Sequence, residues 1–202
     1  MLTYQELTET ALLRTGQYIL DIEDIEIDKN RLELIIKSEL QWFSQYNPVR
    51  KQKDFILYDD KEFTVERDGV IPLNITNIRR RRYQAYPLFN ASVGRFATSL
   101  RWRYVAPYLT FQYPKDIYTV DYYAPHTYKD EGIETLDFSS NFVDLFVARF
   151  MIAIGSGRAS FVLNDIPITT NATDLLSEGK ELLQATQDLI RETSSYHLAI
   201  RM

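Results

Sequence analysis

Apolar positions recur every three or four residues near the two ends of the chain and every second residue through its middle, and this change of period divides the sequence. Residues 3–15 read as a helix. Thr3 and Glu6 match the S/T-x-x-E capping box, Leu2 can staple onto Leu7, and Gly16 suits a C-terminal stop. A second helix is expected after Asp28, with Ile27 and Leu32 as its staple. Leu32, Ile35, Ile36, Leu40 and Phe43 form one buried stripe, and Asn47-Pro48 ends the helix. Between the two lies DIEDIEID, in which Ile22, Ile25 and Ile27 are interspersed with five acids. It lacks the regular oxygen ligands and turn glycine of a calcium loop and reads as a solvated linker.

From about Asp54 to Tyr128 the pattern is that of strands. FILYDD, EFTVERDG, VIPLNIT, RWRYVAPYLTFQY and DIYTVDYYAP are rich in β-branched and aromatic residues. Leu109, Phe111 and Tyr113 alternate with Thr110 and Gln112, the period of a half-buried strand, while Asp68-Gly69 and Pro114-Lys115-Asp116 signal turns. An antiparallel sheet region is expected.

The helical period returns near Ser140. NFVDLFVARFMIAIG carries only Asp144 and Arg149 as charges, so it predicts a helix central in its bundle, stopped by Gly155 and Gly157. A last helix follows, with Asn171 as cap and Asp174 near its positive end. Its stripe is Leu175, Leu176, Gly179, Leu182, Leu183, Leu189 and Ile190. The expected fold is α+β. Residues 1–50 and 136–193 supply the helices of one antiparallel bundle, 51–135 form an inserted antiparallel β-domain, and 194–202 form an extended tail.

Composition narrows the function. The chain has 202 residues, 45% of them hydrophobic, enough for one core with a satellite layer. The absence of cysteine excludes disulfides, thiolate nucleophiles and the usual structural zinc sites. His126 and His197 are too far apart in sequence to suggest a histidine metal site. The N-terminus lacks the basic-then-apolar pattern of a signal peptide. No uncharged run nears the roughly 20 apolar residues that span a bilayer, so no membrane partner is expected. Asn74, Asn90 and Asn171 begin N-x-S/T triplets, which read as chance matches.

Net charge is −5, which argues against a general nucleic-acid binder. The charge is nonetheless uneven. Residues 69–113 contain no acid and seven arginines: Arg79, Arg80, Arg81, Arg82, Arg95, Arg101 and Arg103. The remainder holds all 28 acids and the other 16 of 23 basic residues, a net of −12. Four consecutive arginines on a strand would alternate between its faces. The guanidinium fork suits carboxylate and phosphate alike, so a neighbouring subunit, DNA backbone and plain solvent all remain open as partners.

Enzymatic chemistry finds little support. GSGRAS at Gly155–Ser160 has two glycines of a nucleotide fingerprint but follows a helix and reads as a turn. No G-x-S-x-G elbow is present. His126, after Pro125, reads as a strand end. Asp121, Asp130, Glu131 and Glu134 flank the aromatic strands and read as turn and surface acids. No catalytic residue, cofactor site or metal site is expected. Trp102, Tyr104, Tyr122 and Tyr123 could offer a stacking platform for sugars, which makes a carbohydrate-binding tail or receptor-binding module the alternative function.

The run FVLNDIPITTNATDLLSEGKELLQATQDLIRETSSY, Phe161 to Tyr196, resembles the ending of small structural proteins of tailed bacteriophages. An apolar helix, a short D-I-P-I crossing and a polar-faced helix follow one another, and the layout of helices around a β-insertion is similar to that of neck, or head-to-tail connector, proteins. The resemblance implies a non-enzymatic virion protein, assembled in the host cytoplasm into a ring of about twelve copies. Such a ring joins the portal to adjacent neck or tail proteins and surrounds the DNA exit channel. Arg79–Arg82, Arg101 and Arg103 would then contact a neighbouring subunit or the channel DNA. Tyr196, Leu198 and Ile200 would be alternating anchors by which the tail docks a neighbour.

Overall fold

The structure, a computed structural model, describes residues 1–16, 27–57, 62–64, 73–80, 102–105, 108–111, 116–160 and 172–194. The described residues form four helices and small antiparallel sheets, an α+β protein. Backbone proximity groups the chain into two compact units, one of residues 1–48 with 126–202 and the other of residues 49–125.

The first unit holds α1 (Tyr4–Arg14), α2 (Lys29–Tyr46), α3 (Asn141–Ser160) and α4 (Ala172–Thr193). The capping box forms at α1. Thr3 Oγ1 accepts from the Glu6 amide at 3.2 Å, and Glu6 Oε2 accepts from the Thr3 amide at 2.8 Å. Leu2 and Leu7 are both fully buried, as the staple requires, and Gly16 adopts a left-handed φ of 71°. Asp28 precedes α2, but its side chain caps nothing; its carbonyl takes the amides of Arg31 and Leu32. Two short strands absent from the expected pattern, β1 (Leu2–Thr3) and β8 (Gly132–Ile133), pair and tie the chain start to the segment before α3.

Helix α3 packs against each of the other three helices. Phe142, Leu145, Phe146, Val147, Ala148 and Phe150 are inaccessible to solvent, which explains why charges are so rare along it. Its two glycines do not stop it. The helix runs through both to Ser160, and they serve different ends. A Cβ on Gly155 would lie 2.9 Å from the Ala172 carbonyl and 3.0 Å from the Leu176 amide. Gly179 of α4 is its counterpart, with Ala148 O and the Met151 and Ile152 side chains all at 3.0 Å. These contacts run in opposite chain directions, so α3 and α4 are antiparallel and close enough to require glycine. A Cβ on Gly157 would have no neighbour within 4 Å. On α4, Leu175, Gly179 and Ile190 are buried, but Leu189 is 47% exposed, contrary to the expected stripe, because Thr186 takes the buried place one turn from Ile190.

The second unit contains two three-stranded antiparallel sheets. One has the order β2 (Val49–Leu57), β7 (Asp116–Ala124), β4 (Asn74–Arg80); the other has β3 (Glu62–Thr64), β6 (Tyr108–Phe111), β5 (Trp102–Val105). Strand β2 begins at Val49, five residues before the first strand expected from the pattern. In β4 a bulge between Ile75 and Asn77 inserts Thr76, whose hydroxyl donates to the Asp121 carbonyl at 3.0 Å. The extra residue lets Ile75 and Ile78, three apart, oppose Tyr122 and Val120 on one face of β7.

Candidate interaction surface

The arginine block begins as a strand. Arg79 and Arg80 are the last two residues of β4, opposite Thr119 and Tyr118 of β7. Across β7 the Arg79 row continues to Asp54 of β2, whose Oδ1 accepts from the Thr119 hydroxyl at 2.7 Å. Arg81, Arg82 and Arg101 lie outside the described residues.

Arg103 lies on β5 and is exposed. The register places it opposite Thr110 and places Val105 opposite Tyr108. Alternation puts these four side chains on one face of the hairpin, with Tyr104 and the fully buried Leu109 on the other. Val105 is 55% exposed and Tyr108 50%. Arginine and tyrosine are both enriched at the centres of protein contacts. Burial pushes the Tyr104 phenol above its ordinary value, as its place on the covered face requires.

The division into units sharpens the charge pattern. Residues 49–125 hold 13 basic and 8 acidic residues, a net of +5; the rest of the chain holds 10 basic and 20 acidic residues, a net of −10. Sequence reading found the arginines but missed the basic start of β2, where Arg50, Lys51 and Lys53 pair with Tyr123, Tyr122 and Val120. Polar residues in succession give no alternating apolar signal, and only the aromatic-rich partner strand reveals them as a strand.

The other sequence candidates occupy structural positions. His126 lies in the first unit, where its Nε2 is 2.7 Å from the Asn47 carbonyl and its Nδ1 2.6 Å from the Thr135 hydroxyl. A carbonyl only accepts, so Nε2 carries the proton and Nδ1 of the neutral ring accepts from Thr135. The His126 amide also donates to Ser44 Oγ at 2.9 Å. These bonds fasten the segment after Pro125 to the end of α2. Asp130 and Glu131 form the two central residues of a tight turn, at φ 50° and 58°, closed by paired bonds between Lys129 and Gly132. Glu131 meets Lys29 at 2.5 Å, Glu134 is exposed, and Asp121 sits on β7 of the other unit, 4% exposed.

The aromatic candidates do not share a face. Trp102 and Tyr104 belong to one sheet, and the neighbours Tyr122 and Tyr123 fall on opposite faces of another. Of the expected tail, Ser194 is 2% exposed and donates to the Tyr46 carbonyl at 2.5 Å, while Tyr196, Leu198 and Ile200 lie outside the described residues. Among the described residues there is no group of three or more acidic or histidine side chains able to hold a metal ion, and no helix long and apolar enough to cross a membrane. Compared with known proteins, the sequence matches no family model and no curated protein.

Proposed function

We propose that this chain is a non-enzymatic structural protein of the head-to-tail interface of a tailed bacteriophage. It forms a connector ring of about twelve copies beneath the portal, around the DNA exit channel. In this reading the helices from the two ends of the chain make one antiparallel bundle, and the β-rich middle is inserted into it. The observation that carries the proposal is the opposite charge of the two units, +5 against −10. Head-to-tail packing around a closed ring brings unlike surfaces of successive copies together, and opposite charge makes that pairing favourable. The arginines of residues 79–103 face a neighbouring copy or the channel DNA, and the segment beyond Ser194 docks the portal or an adjacent ring.

The test is incorporation. Deleting residues 195–202 keeps Ser194 and its bond to Tyr46, so the melting transition stays where it is while the protein fails to join particles. Replacing Arg79–Arg82 by Ser lowers particle yield or DNA retention. Normal incorporation of the truncated chain rejects docking by the tail, and unchanged yield and infectivity reject a contact role for the arginines.

A further inference from the structure

The exposure of Leu189 has a neighbour that gives it meaning. Asp174, Glu178, Glu181, Asp188 and Glu192 follow one another along α4 at intervals of four, three, seven and four, the spacing of a single stripe. The stripe is about 27 Å long at the helical rise. Ala185 occupies the missing position in it and is exposed, and Leu189 lies one turn beyond on the same side. Both basic residues of α4, Lys180 and Arg191, fall off the stripe; Arg191 reaches Asp188 at 3.1 Å, lies over the Trp42 ring and bonds Tyr46. Among the described residues, no cation pairs with Asp174, Glu178, Glu181 or Glu192. The outer side of α4 is thus a small apolar spot in an acidic surround.

The β5–β6 face has the opposite pattern: Val105 and Tyr108 form an apolar spot beside Arg103, in a stretch of sequence with no acid from residue 69 to 113. We infer that the β5–β6 face of one copy docks on the outer side of α4 of the next, with Val105 and Tyr108 against Ala185 and Leu189 and Arg103 among the flanking glutamates. The occupant of the α4 surface is a second copy of this chain. Charge complementarity selects it, since the same molecule supplies both halves and neither half complements itself. A head-to-tail contact between two different patches can repeat from copy to copy and generates a ring where the rotation closes. The inference rests on the ring reading and names the surfaces that build the ring.

The test is a charge exchange followed by sedimentation of the full chain. Arg103→Glu alone, or Glu181→Arg with Glu192→Arg, weakens self-association about tenfold or more, the effect of losing one buried interfacial charge pair. An equimolar mixture of the two variants regains association, because each supplies the partner the other lacks. Leu189→Asp abolishes it. All the altered side chains are exposed, so the melting transition of each variant matches that of the parent. Equal association of the parent and all variants overturns the pairing and leaves a ring built by other surfaces possible. A parent chain that stays monomeric also overturns it, and the copy number in assembled particles then decides the ring reading separately. If Arg103→Glu instead abolishes binding to duplex DNA without altering self-association, the face serves DNA and the pairing is wrong.

Discussion

Glu39 and Arg149 hold the most exacting polar contact in the helical unit. Glu39 of α2 is 5% exposed, and its Oε1 takes the Arg149 Nε hydrogen at 2.7 Å, while its Oε2 is buried without a partner. Arg149→Met strands a buried carboxylate and is expected to cost about 2–3 kcal/mol in urea unfolding, whereas the double change with Glu39→Leu returns to within about 1 kcal/mol of the parent. A neutral single variant would remove this pair from the account. Tyr128 presents the reverse case, a hydroxyl buried with no partner. Desolvation, helped by Glu33, Glu131 and Tyr4, pushes its pKa up to about 12 from 10.0. A raised folded value means that the unfolded chain loses the proton first. Stability is therefore intact below pH 10 and declines as pH climbs from 10 to 12, and Tyr128→Phe flattens that decline while leaving stability at pH 7 equal or slightly higher. Alkaline melting curves of the two proteins check this. Neither the pairing of Arg149 with Glu39 nor the burial of the Tyr128 hydroxyl was visible in the sequence pattern, which counts apolar periodicity and cannot see a charge that finds its partner 110 residues away.

Among the elements, the local chemistry of caps was legible and the role of glycine was not. Thr3 and Glu6 act within four residues, so their box follows from sequence. A glycine that ends a helix and one that lets two helices touch look alike until the second helix is in place. Gly155→Ala and Gly179→Ala place a methyl 2.9–3.0 Å from backbone carbonyls of the facing helix and should destabilise by about 1–3 kcal/mol, although alanine is the better helix former. Gly157→Ala, with open space where the new methyl would stand, should stabilise by about 0.5–1 kcal/mol. Thermal melting of the three variants separates close packing from propensity; a common sign for all three would contradict the α3–α4 geometry. The Asp130-Glu131 turn holds two non-glycine residues at positive φ. Glu131→Gly relaxes one of them and should raise stability by up to about 1 kcal/mol, the exposed bridge to Lys29 being worth less. A lower melting temperature would show that the bridge outweighs the backbone.

At the scale of the whole molecule, the change from a period of about 3.6 to a period of 2 and back was enough to read an α+β chain with helices at both ends. It did not yield the β1–β8 pairing, two residues on each strand, because pairs that short leave no periodic trace. It also missed the beginning of β2, whose Arg50, Lys51 and Lys53 are three of the 13 basic residues of residues 49–125. The arginine cluster was apparent from counting alone. Its meaning required the partition into units, which turned an uneven sequence into two bodies of opposite sign. The most direct measurement of the account is the number of copies of this chain per tailed particle, by quantitative mass spectrometry of purified virions. A fixed count of about twelve, matched to the portal, is the predicted result. Its absence from particles, or a count that varies from preparation to preparation, would contradict a connector ring.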